Sequence, residues 1–142
     1  MPVAELTLDA LRDWGRAFGA ALQPPAVVAL SGELGAGKTT LVQAIAEGLG
    51  IREPVTSPTY ALVHEYAAPR GSVHHFDLYR LRDEAQLPQL GWDEAIAGGG
   101  IVLVEWPEHA GHSLPETAQR LALAHVAGRE DLRALRVGGS DA

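Results

Sequence analysis

Apolar positions along the chain change period several times, and each change marks an element. Within residues 5–22 (ELTLDALRDWGRAFGAAL), Leu8, Leu11, Trp14, Ala17, Phe18 and Ala21 recur at helical spacing, which predicts an amphipathic helix with Thr7 as its cap. Residues 26–30 (AVVAL) form a short unbroken apolar run, the mark of a buried strand. Helical spacing returns over 39–49, with Leu41, Ile45 and Leu49 on one face and Gly50 closing the element. Next, 59–66 (TYALVHEY) and 72–79 (SVHHFDLY) predict two strands joined by a turn at 69–71. Residues 82–97 predict a helix in two pieces, because Pro88 and Gly91 interrupt the pattern. Gly98, Gly99 and Gly100 turn the chain into IVLVEW (101–106), the strand with the most buried character. A loop is expected over 107–115. Two further strands, about 119–126 and 132–137, flank GRED (128–131) as a hairpin turn, and 138–142 read as a frayed tail. Alternating strands and helices of this kind predict a three-layer α/β domain with a partly antiparallel sheet.

Composition narrows the class. The chain has 142 residues, 46% hydrophobic and 20% charged, which suits one soluble domain over 1–142. It has no cysteine, so disulfide frameworks and thiolate metal sites are excluded. The stretch MPVAELTLDALRDWG carries acids among its apolar residues and lacks the basic start of a secretory signal. No apolar run reaches the roughly 18 residues of a membrane span, so the expected location is the cytoplasm, with no membrane partner. The net charge of -7, with no basic run, argues against tight nucleic-acid binding by this chain alone.

The candidate chemistry begins at SGELGAGKTT (31–40). Lys38 is the sole lysine among eleven Lys and Arg residues. Gly32, four residues, then Gly37-Lys38-Thr39 is the G-x-x-x-x-G-K-[ST] phosphate-binding loop. Glycines let successive amides approach phosphate oxygens, and the following helix points its positive end at the same anion. A lysine is a compact charge on a flexible stem that reaches between β and γ phosphates, where a planar guanidinium fork does not fit. Thr39 supplies a hydroxyl for Mg²⁺, which prefers oxygen ligands.

Such a site needs an acid at the end of a neighbouring strand. Glu105 ends IVLVE and Asp77 ends VHHFD; spacing does not divide metal ligation and water positioning between them. The hydroxyl-rich TSPTY (56–60) is either an ordinary turn or a switch that senses the γ-phosphate. His74 and His75 are adjacent and face opposite sides of a strand, while His64, His109, His112 and His125 are scattered. The histidines therefore read as structural or surface residues. Trp14 and Trp92 read as core; Trp106, next to Glu105, is placed either at the site wall or in packing.

SGELGAGKTT, SPTYALVHEY, HFDLYRL and VLVEWPE, in this order, resemble the TsaE (YjeE) family, the bacterial P-loop ATPases of tRNA threonylcarbamoyladenosine biosynthesis, over about residues 7–137. The resemblance implies a P-loop NTPase fold, ATP and Mg²⁺ as ligands, and TsaB and TsaD as a partner heterodimer that is reset by ATP hydrolysis between turnovers, with tRNA held only through those partners. It implies a triphosphate cradle of Glu33, Leu34, Gly35, Ala36, Gly37, Lys38, Thr39 and Thr40. Thr39 and Glu105 would hold Mg²⁺, Asp77 would serve hydrolysis, and Thr59 would be the switch threonine. Arg129 would lie near the nucleotide, and the turn at Thr7 and Leu8 near the adenine. Two other readings share the P-loop: a small-molecule kinase, against which the chain offers little room for a lid or acceptor domain, and a nucleotide-dependent binding module without significant turnover.

Overall fold

A computed structural model describes residues 3–33, 35–56 and 62–138. Seven strands form one mixed sheet in the order β1-β7-β6-β2-β5-β4-β3. They are β1 (Val3–Leu6), β2 (Ala26–Gly32), β3 (Val63–Ala68), β4 (Gly71–Asp77), β5 (Ile101–Glu105), β6 (Gln119–Val126) and β7 (Arg129–Gly138). The central strands β6, β2, β5 and β4 run parallel. β1, β7 and β3 add antiparallel edges. β2 and β5 are apolar up to their C-terminal ends, through Leu30 and Val104, because parallel strands at the centre of a sheet are covered on both faces.

Alternation along β5 shows the two covers. Ile101 and Leu103 pack with α1 (Leu8–Ala21) and α2 (Lys38–Gly48), through Leu11, Leu41 and Ile45. Val102 and Val104 pack on the opposite face with Leu87 of a 3₁₀ segment (Glu84–Leu90), Trp92 of α3 (Trp92–Ala97) and Ala110 of a second 3₁₀ segment (Pro107–Ser113). The result is three layers.

The helix starts follow local chemistry. Thr7 Oγ1 accepts the Ala10 N–H at 3.1 Å and caps α1. Gly50, at φ 87°, closes α2, its N–H bonded to Glu47 O at 3.0 Å. Gly91, at φ 77°, separates the 3₁₀ segment from α3, the two-piece arrangement expected there.

Three expectations are revised. β1 is a strand that the apolar pattern did not signal. The expected loop 107–115 is largely 3₁₀. The hairpin turn is Ala127–Gly128, with Gly128 at φ 75°, so Val126 pairs Arg129 and most of GRED lies within β7. Residues 59–61 of the expected first TYALVHEY strand lie outside the described residues, as do 139–142 of the expected tail.

Candidate functional site

The glycine loop leaves the end of β2 and enters α2 at Lys38. Gly32 is at φ 147°, and a side chain there would stand 2.5 Å from Leu123 O of the adjacent strand. Gly37 is at φ 101° and caps α2 without any side-chain hydrogen bond, so the first-turn amides are left to an anion. Glu33 is exposed and its carbonyl accepts the Ala36 N–H at 3.1 Å, while Ala36 is buried. Leu34 lies outside the described residues.

Beside the loop is a cleft of about 340 Å³. Gly35, Gly37, Lys38, Thr39 and Thr40 form one wall; Asp77, Tyr79, Glu105 and Trp106 form the facing one; Leu8 and Arg133 close the side. The acids arrive by register. β4 and β5 are parallel neighbours with Asp77 opposite Glu105, so both reach the same end of the sheet. Period 2 puts them on the α2 face with Val73, Ile101 and Leu103 below. That face is apolar along most of its length and acidic at its tip.

Lys38 is buried, at 6% exposure. Its Nζ donates to the carbonyls of Gly32 and, at 3.3 Å, Glu33. It also lies 3.8 Å from the centre of the Trp106 ring, a cation–π contact. Burial lowers its pKa from the ordinary value, while Glu105, Glu108 and Asp77 pull it back up. Trp106 reaches this position through a left-handed backbone, φ 57° and ψ 53°. Its N–H is held by Leu30 O at 3.3 Å, and its ring meets Tyr79 at 4.9 Å between centroids. Asp77 Oδ1 accepts the Tyr79 N–H at 3.1 Å. Glu105, 3% exposed, has its Oε2 2.6 Å from Nε2 of the equally buried His75.

The structure thus brings together Gly35, Gly37, Lys38, Thr39, Thr40, Asp77 and Glu105. It does not bring Arg129 to the cleft: that residue is exposed at the start of β7, its Nε and Nη2 donating to Asp131 at 3.0 and 2.9 Å. Thr7 spends its hydroxyl on the helix cap, and its neighbour Leu8 is the residue that lines the cleft. Thr59 lies outside the described residues.

Three cleft-side residues escaped the reading of the chain: Tyr79, His75 and Arg133. Tyr79 follows Asp77 by two positions and stands 47% exposed. His75 precedes Asp77 by two, and so shares its face. Arg133 is in phase with Leu135 and Val137 of the inward face of β7. Its Nη1 donates to Glu130 O and Leu132 O, both at 2.9 Å, and its Nη2 to Gly35 O at 3.4 Å. An arginine in step with inward apolar residues was a signal, present within the expected strand 132–137 and not used.

Mg²⁺ fits the donors present. The buried carboxylate of Glu105 and the first-turn hydroxyl of Thr39 share the cleft, and both are the oxygen donors that this cation prefers.

A mixed sheet with a glycine loop between a central parallel strand and its helix, faced by acids at the ends of two neighbouring strands, defines an α/β protein of the P-loop type. Residues 6–134 match the family model described as threonylcarbamoyl adenosine biosynthesis protein TsaE. The chain belongs to the TsaE family. A Treponema pallidum protein named tRNA threonylcarbamoyladenosine biosynthesis protein TsaE is 39% identical over 114 residues, 80% of this chain and 84% of that one. A Bacillus subtilis protein of the same name is 39% identical over 108 residues, 76% and 67% of the two chains. The crystal structure of Bacillus subtilis YdiB superposes with a TM-score of 0.76 and 29% identity, covering 99% of this chain and 88% of that one.

Proposed function

We propose that this chain is the Mg²⁺-dependent ATPase component of the tRNA threonylcarbamoyladenosine modification machinery. In this reading it works in the cytoplasm with a TsaB–TsaD heterodimer, resetting that pair between turnovers, and it is slow without them. The carrying observation is the convergence of Lys38, Asp77 and Glu105 on one cleft at the open amides of α2. Membership of the TsaE family supports the cellular role.

The triphosphate lies along residues 33–40, where main-chain amides and the helix end take its negative charge. Lys38 leaves the carbonyls of Gly32 and Glu33 for the β and γ oxygens; four methylenes give it that reach. Thr39 and Glu105 would hold Mg²⁺, which would neutralise charge on the terminal phosphates when bound. Asp77 orients the water whose oxygen bonds to the γ-phosphorus as the bond to the β–γ bridging oxygen breaks, releasing ADP and phosphate. Lys38 stays close to the bridge, where charge develops. Thr59 is assigned the switch role and Arg133, rather than Arg129, the cationic contact at the side of the cleft. With a net charge of -7, the chain leaves tRNA to its partners.

Phosphate release by the chain with the TsaB–TsaD heterodimer tests this reading. Lys38→Ala is expected to lower turnover at least 100-fold, the scale on which one preorganised charge-stabilising donor acts. Wild-type turnover by that variant overturns the assignment.

A further inference from the structure

We propose that His75 is a positioning residue that fixes the carboxylate of Glu105 in the cleft; the inference rests on the ATPase reading above. Nothing in the chain's pattern marks His75 for that work, since it sits mid-strand on the face carrying Val73 and is 2% exposed. A polar ring at such a depth is costly unless it is bonded. Its bond is specific: Nε2 lies 2.6 Å from Glu105 Oε2. The register puts the two within reach, because His75 stands opposite Leu103 and Glu105 is the next residue on the same face. His75 therefore reaches diagonally toward the tip of the adjacent strand.

The direction of the bond follows from its partner. A carboxylate oxygen accepts, so the imidazole donates the proton on Nε2 to Glu105 Oε2. Glu105 thus has one oxygen held by the imidazole and Oε1 left for the cleft. A glutamate has three rotatable bonds, and holding one oxygen removes most of the freedom the other would have. Outer partners of ligating carboxylates and imidazoles elsewhere tune metal affinity in this way, by about 10–100-fold. A core histidine serving only to fill space needs no such alignment with the acid.

Two variants of similar polarity separate positioning from folding. His75→Gln places an amide N–H near the position of Nε2, whereas His75→Asn places one near Nδ1, short of Glu105. Binding of Mn²⁺ to the chain saturated with ADP, followed by electron paramagnetic resonance, reads the metal site without turnover. ADP binding in EDTA reads the rest of the cleft. For His75→Asn we expect Mn²⁺ affinity to fall about 10–100-fold with metal-free ADP affinity unchanged. For His75→Gln, Mn²⁺ affinity should stay within a few-fold of wild type. Equal Mn²⁺ affinity in wild type and His75→Asn, with both folded by circular dichroism, overturns the inference; so does equal loss in both variants. Absence of nucleotide binding by the wild-type chain is a different result and overturns the ATPase reading itself.

Discussion

Lys38 is held between opposing electrostatic effects. The buried ammonium loses hydration, which lowers its pKa from the ordinary 10.5, and Glu105, Glu108 and Asp77 recover part of that loss. A base whose folded-state pKa is depressed binds its proton more weakly than the unfolded chain does. Between the folded value and about 10.5 the unfolded chain therefore carries more protons, and stability rises with pH. Below that window the whole cost of burying the charge is present. Lys38→Met keeps the stem and removes the charge, so the variant should resist urea better than wild type near neutral pH. The gap should narrow as pH rises through the window, while MgATP binding is lost at every pH. Denaturation curves at neutral and alkaline pH measure it; a variant less stable than wild type at neutral pH contradicts the dominance of desolvation. Trp106 belongs to the same compromise. A non-glycine residue in the left-handed region costs roughly 1–2 kcal/mol, and here that conformation lays the indole against Lys38.

At the scale of elements, the glycine loop is only as rigid as the helix it feeds, and α2 is held by an unusually close approach to α1. A side chain at Gly19 would stand 2.2 Å from Ile45 O, and one at Gly48 would stand 2.1 Å from Arg16 O. Backbone, not a flexible side-chain tip, is in the way. Gly19→Ala should push the helices apart and destabilise the fold by about 1–3 kcal/mol, the range of overpacked cores, with a matching fall in melting temperature. Thr7→Ala, which removes only the cap of α1, should cost about 1 kcal/mol and leave nucleotide affinity within a few-fold if Thr7 does no more than cap. These elements also show what the chain makes legible. α1, β2, α2 and β5 were readable because long apolar stripes and glycine stops specify them locally. β1 was not: its four residues are mostly exposed and become a strand only by pairing β7. The start of β7 was misplaced because Arg129, Glu130 and Asp131 carry turn-like polarity, while the turn itself is only Ala127–Gly128. The P-loop and both acids could be named from motifs and strand ends. The His75–Glu105 bond could not, because it depends on the register between two strands thirty positions apart in the chain.

Across the molecule as a whole, acids outnumber fixed cations, 18 to 11. Lys38 is buried, Arg133 closes the cleft, Arg129 is paired with Asp131, and Arg16 bridges Asp13 and Glu47. The net charge of -7 disfavours the approach of a phosphate backbone. Any protein that neutralises such a backbone releases condensed counterions, and its affinity then falls steeply with salt, by a log–log slope of about -0.7 per phosphate contacted on single strands and -0.9 on duplex. The proposed division of labour therefore has a thermodynamic signature separate from catalysis. Alone, the chain should show no tRNA binding by gel shift, even at low salt. Added with MgATP to a TsaB–TsaD–tRNA complex, it should leave the slope of log affinity against log salt unchanged within about 0.5, less than one phosphate contact. Asp77→Asn should give the same slope while phosphate release is abolished, since one acid less in the cleft alters hydrolysis and not the docking of tRNA. A slope that steepens by one contact or more when the chain is added would show that it touches the RNA itself, and the view of its acidic surface as deferring to its partners would have to be abandoned.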